Sequence, residues 1–112
     1  MVGLYLILFI SEQWKNTLRS VHMDSVKTGM GGTFGNKGGL IMRIKIFDTS
    51  LCFTCAHLAA GESKVKERID DFVNIHKKAF QQNKSGIQNQ NLITLTFFAE
   101  FNLRFVRVLT HR

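Results

Sequence analysis

The sequence predicts an α/β layered arrangement, and three observations carry that reading. Leu40, Met42, Ile44 and Ile46 alternate with Ile41, Arg43, Lys45 and Phe47, the period of two that a strand imposes. Between Gly61 and Phe80 the period changes, with Val65, Ile69, Phe72, His76 and Ala79 or Phe80 on one helical face. A further apolar run, Leu92 to Phe98, then returns to strand character. Strands, one long helix and another strand stack naturally as layers.

The elements follow in order. Val2 to Ile10 is a continuous apolar run of strand length, as expected of a strand buried on both faces. Ser11 and Glu12 open a short helix through about Leu18. Val21 to Thr28 is a strand, followed by the glycine-rich stretch GMGGTFGNKGG from Gly29 to Gly39 and then the alternating strand. Asp48-Thr49-Ser50 is turn chemistry, so Leu51 to Leu58 forms a hairpin with the strand before it. Glu62 and Lys66 stand at the i,i+4 spacing of a helical ion pair. Gln81 to Asn91 is polar and reads as a surface connection.

Composition bounds the function. A chain of 112 residues, 45% hydrophobic and 21% charged, is one globular unit and not a disordered tail. Such a length buries about two-thirds of its unfolded surface. The formal charge of +7 favours anionic partners: phosphorylated lipids, nucleic acid or an acidic membrane surface. The apolar start is too short to span a bilayer and lacks the basic flank of a signal peptide. Cys52 and Cys55 mimic a C-x-x-C motif, but on a strand they point to opposite faces. They are expected to be reduced core residues in a cytoplasmic protein.

Three places can hold chemistry. Six of the nine glycines lie between Gly29 and Gly39, which fits either a mobile hairpin loop or a backbone path that approaches a phosphate, with Lys37 adding charge. No Walker pattern is present. His57 ends an apolar strand, where a histidine is either a hydrogen-bonded structural residue or a catalyst. Glu100 and Asn102 share one face of an extended segment. A carboxylate and an amide so placed either shape an edge turn or orient a water beside a phosphoryl oxygen.

Three stretches, VKTGMGG-x-x-GNKGG, TSLCFTCAHLAAGESKVKERIDDF and FFAEFNLR, resemble the inositol polyphosphate 5-phosphatase family, nearest its synaptojanin-type phosphoinositide phosphatases. The resemblance covers residues 1 to about 105, read as a central, incomplete part of the catalytic domain; residues 106–112 diverge as a tail. It implies a partial four-layer β-sandwich flanked by helices, of the endonuclease/exonuclease/phosphatase (deoxyribonuclease-like) type. It further implies Mg²⁺-dependent hydrolysis of a 5-phosphate by an activated water. The partner would be a phosphoinositide lipid or an inositol phosphate, met in the cytoplasm or peripherally at a membrane surface. By the same resemblance His57, Glu100 and Asn102 are catalytic. Asn36, Lys37, Arg68 and Arg104 are placed near substrate phosphates, the two arginines serving first as scaffold charges.

The departures carry expectations too. Ala99-Glu100-Phe101-Asn102 stands where the family has Gly-Asp-Phe-Asn, and Ile69 stands where its helix carries asparagine. The family's upstream metal-binding glutamate and final Asp-His pair have no counterpart, and a chain without proline has no Pro-Ala-Trp-Cys-Asp-Arg motif. A complete Mg²⁺ site is therefore not expected within this chain, whose own turnover should be impaired. A non-catalytic phosphoinositide-binding fragment is the alternative. A nuclease ranks last, because single-strand binders interleave aromatic and basic residues.

Overall fold

The computed structural model describes residues 3–32, 34–81 and 92–98. Four strands form one sheet in the order β1-β2-β3-β4: Leu18–Gly29, Phe34–Ile46, Thr49–His57 and Leu92–Phe98. The first three run antiparallel in sequence order, and β4 pairs parallel to β3. The parallel pairing requires a crossover, which contains helix α1, Val65–Lys78. One sheet and one helical layer of the expected sandwich are thus visible among the described residues.

Pairing parity sorts the two faces of the sheet. Ile41 lies opposite Asp24 and Thr54, and Gly39 opposite Val26 and Ala56, so these residues share the face toward α1. Val26, Ile41, Cys52 and Ala56 pack there with Ile75 of the helix. Burying a side chain such as Ile75 contributes about 1.5–3 kcal/mol. Met42, Ile44 and Phe53 form the core of the opposite face, with Leu6, Leu8, Leu18, Ile46 and Leu51 packed against it. Cys52 and Cys55 are free and divided between the two faces, as the strand geometry requires. Partial burial pushes the Cys55 thiol above its usual value.

Several expectations need correction. Residues 4–10 form no ladder with any described strand. Leu4 is buried and Leu6 and Leu8 lie on the sheet, while Tyr5, Ile7 and Phe9 are exposed, so only one side of this run has a surface to cover it. The short helix is a 3₁₀ turn, Glu12–Thr17. The β2–β3 turn falls at Phe47-Asp48, and Thr49 and Ser50 already belong to β3.

The helical face is also rotated from the expected one. Val65 and Ile69 are 54% and 57% exposed, whereas Ile75 is 1% exposed. Gly39 explains the shift, since a Cβ there would stand 3.0 Å from Ile75 Cγ2. The missing side chain leaves the hollow into which Ile75 fits. On the helix the ion pair that forms is Lys64–Glu67, 2.6 Å, and not Glu62–Lys66.

Candidate functional site

The site grows from an irregularity in the first hairpin. Lys27 pairs with Gly38 and Gly29 with Phe34, so one residue of β1, Thr28, faces three of β2, Gly35 to Lys37. Such bulges re-aim side chains and end regular pairing. By strict alternation Lys37 would share the parity of Gly39 and Ile41 and face α1. The bulge frees it from that rule. Gly38, at φ +146°, takes a backbone conformation few other residues adopt. The expected loop GNKG is therefore the bulged start of strand β2, not a free loop.

His57 is the last residue of β3, opposite Gly38, and shares the parity of Phe53 on the face away from α1. Lys37 Nζ lies 2.7 Å from His57 Nε2, and both side chains are half-buried. An ammonium has no lone pair, so Lys37 donates and Nε2 accepts; the ring carries its proton on Nδ1 in this state. Two residues twenty apart in sequence thus meet at one end of the sheet. Asn36 is exposed beside them on the same bulge. The buried Thr28 Oγ1, with no hydrogen-bond partner among the described residues, faces that bulge from β1.

Arg68 lies elsewhere, on α1, half-buried. Its Nη1 donates to the carbonyls of Ala59, at 3.3 Å, and Gly61, and its Nη2 to that of Glu62 at 3.5 Å. The guanidinium is engaged with the segment that leaves His57. Asp71, which sequence reasoning did not single out, accepts from the Ala59 N–H through Oδ2 at 3.0 Å. Its signal was its position three residues after Arg68, on the same helical face. Glu100, Asn102 and Arg104 lie outside the described residues. The last described residue of β4, Phe98, stands beside Ala56, so β4 ends at the His57 end of the sheet.

Among the described residues no group of three or more His, Cys, Asp or Glu side chains is placed to hold a metal ion. An ammonium and an imidazole do not supply the hard oxygen ligands that Mg²⁺ requires. What these residues can do is grip an anion, with one fixed charge and one imidazole able to turn an N–H toward it.

Comparison with known proteins shows what the chain is similar to. Residues 1–110 match the family described as Endonuclease/Exonuclease/phosphatase family 2. The chain is 53% identical over 78 residues to synaptojanin-1 of Rattus norvegicus, covering 70% of this chain and 5% of that protein. It is 35% identical over 104 residues to inositol-1,4,5-trisphosphate 5-phosphatase 1 of Schizosaccharomyces pombe, covering 93% of this chain and 10% of that protein. The crystal structure of the inositol polyphosphate 5-phosphatase domain of SPsynaptojanin, in complex with inositol (1,4)-bisphosphate and a calcium ion, superposes with a TM-score of 0.60 at 29% identity. That match covers 76% of this chain and 24% of the other. The chain therefore spans a small part of each of these proteins. It belongs to endonuclease/exonuclease/phosphatase family 2, and its relatives there are synaptojanins and inositol polyphosphate 5-phosphatases.

Proposed function

We propose that this chain is the phosphate-gripping central part of a phosphoinositide or inositol polyphosphate 5-phosphatase domain. The observation that carries the reading is the 2.7 Å contact between Lys37 Nζ and His57 Nε2 at one end of the sheet. Relatives named as 5-phosphatases, and a structural neighbour solved with an inositol bisphosphate and a divalent cation, supply the substrate class.

In the reaction so assigned, a water oxygen bonds to phosphorus as the bond to the inositol 5-oxygen breaks. That oxygen takes a proton and inorganic phosphate departs. Lys37 offers a fixed positive charge to the phosphoryl oxygens. His57 donates to one of them once Nε2 carries a proton, and Lys37 then turns from the ring to the phosphate. Both contacts strengthen as charge develops on the phosphoryl group. Glu100 and Asn102 are assigned the orienting of the water. Asn102 follows Phe98 by four residues, a reach of at most about 14 Å from the His57 end of β4. Mg²⁺, when bound, would supply further charge neutralisation, but the described residues do not supply its oxygen ligands.

Because Lys37 and His57 offer groups that suit an anion, while among the described residues no carboxylate cluster is placed for a metal, the 112 residues alone are expected to bind phosphoinositide, peripherally at a cytoplasmic membrane surface, more readily than to hydrolyse it. Co-sedimentation with vesicles containing a 5-phosphorylated inositol lipid should show binding that falls about tenfold in Lys37→Ala, the loss of a charge-assisted hydrogen bond, and that weakens with salt. Equal binding to neutral phosphatidylcholine vesicles would refute the reading. Phosphate release from the same lipid with Mg²⁺ should stay at background; robust turnover would overturn the assignment of incompetence.

A further inference from the structure

We infer that Arg68 and Asp71 are positioning residues that hold His57 in place by fixing the main chain just beyond it. The inference rests on the phosphate-gripping role proposed above for His57. The ladder of β3 stops at His57, yet two residues later both polar groups of one peptide position are held from the helix. Asp71 Oδ2 accepts the Ala59 N–H at 3.0 Å, and Arg68 Nη1 donates to the Ala59 carbonyl at 3.3 Å. Two side chains thereby engage both polar groups of Ala59 as a paired strand would, where the described residues show no strand partner.

Arg68 continues to the carbonyls of Gly61 and Glu62, spanning the turn that Gly61 makes at φ +106°. Three carbonyls on one planar fork suit arginine, which presents several donors in fixed directions, and not lysine. Neither charge is spent on the other. Among the described residues the ion pairs are Lys15–Glu12 and Lys64–Glu67. Over its first two turns the helix has this arginine and aspartate half-buried while Val65 and Ile69 face outward, an inversion of the ordinary amphipathic order that Ile75 restores further on. A partly buried charge facing inward is costly unless hydrogen-bonded, and here the hydrogen bonds fall on the segment leaving His57. Without them His57 would be the fraying end of a strand, and its ring would lose the fixed approach to Lys37.

The test uses the 112-residue chain with ¹⁵N-labelled histidine. The variants are Arg68→Ala, Arg68→Lys, Asp71→Ala and Asp71→Asn, with the exposed Asp70→Asn as control. Three quantities are read: amide exchange at Ala59, the His57 Nε2 resonance that distinguishes acceptor from donor, and affinity for inositol (1,4)-bisphosphate. Arg68→Ala and Asp71→Ala should speed Ala59 exchange about tenfold, shift the His57 Nε2 signal and weaken the probe by a similar factor. Asp71→Asn, which keeps an acceptor oxygen, should restore all three, and Arg68→Lys should fall between. A rise in Ala59 exchange with unchanged His57 signal and unchanged probe affinity would reduce the pair to a loop staple and overturn the inference. A His57 signal that follows Ala59 exchange, in a wild-type chain that binds no probe, would sustain the positioning role and sink the phosphate reading instead. Should the alanine variants fail to fold, an Arg68→Lys protein with a wild-type His57 signal would be enough to reject it.

Discussion

The two hairpins of this sheet solve the same connection in opposite ways. Between β2 and β3 the chain reverses over Phe47 and Asp48, and every pair from Ile46–Thr49 to Gly38–His57 keeps register. Phe47 sits at φ +50° without being glycine, held by its N–H to the Thr17 carbonyl at 3.0 Å and by an edge-to-face contact with Trp14 at 6.3 Å. Between β1 and β2 the chain uses glycine after glycine and breaks register at Thr28. The regular hairpin builds a wall. The irregular one delivers Lys37 to a histidine that alternation would deny it.

The comparison can be broken most strongly at Gly39, where the irregular hairpin meets the helix. Gly39→Ala places a methyl 3.0 Å from Ile75 Cγ2 and 3.1 Å from its Cδ1, against a side chain that is 1% exposed. Overpacking of this kind should cost about 1–3 kcal/mol, read as a lower urea midpoint, with part of the loss recovered in Gly39→Ala/Ile75→Val.

A subtler cut removes the bulge itself. Deleting Gly35 and Asn36 leaves one residue opposite Thr28, restores alternation and turns Lys37 toward α1. Binding to phosphoinositide vesicles should then fall about as far as in Lys37→Ala, while the urea midpoint changes little. Retained binding would show that the bulge does not aim the lysine.

The smallest effect is expected at the regular turn. Phe47→Gly relieves the positive φ, worth about 1 kcal/mol, and forfeits the aromatic contact, worth about 0.5–1.5 kcal/mol. The two nearly cancel, so stability should stay within about 1 kcal/mol of wild type and vesicle binding should be unaltered.

Much of the sheet was legible because period-two alternation is a local signal. The run from Leu40 to Phe47 announced β2, and Leu92 to Phe98 announced β4 to the residue. The helix was legible in extent but not in rotation. Its inward face is set by two things a periodicity count cannot see: a hollow left by Gly39 on another element, and main-chain groups at Ala59 that need charged partners. For the same reason Asp71 was passed over. The apolar run at residues 4–10 was misjudged because composition tells that a segment avoids water, not on how many sides a neighbour covers it. At the site, Lys37 and His57 were named from sequence, but their meeting depends on a register break that no motif spells out.

Parallel pairing of β4 has a consequence for the order of assembly. Each hairpin closes over a handful of residues, whereas Ser50 must find Leu92 across a separation of 42 positions (92 − 50). Closing so long an excursion is entropically dear and slow relative to zipping a neighbouring strand. The lysine–histidine contact is thus the early product of folding, and the β3–β4 edge is the late one.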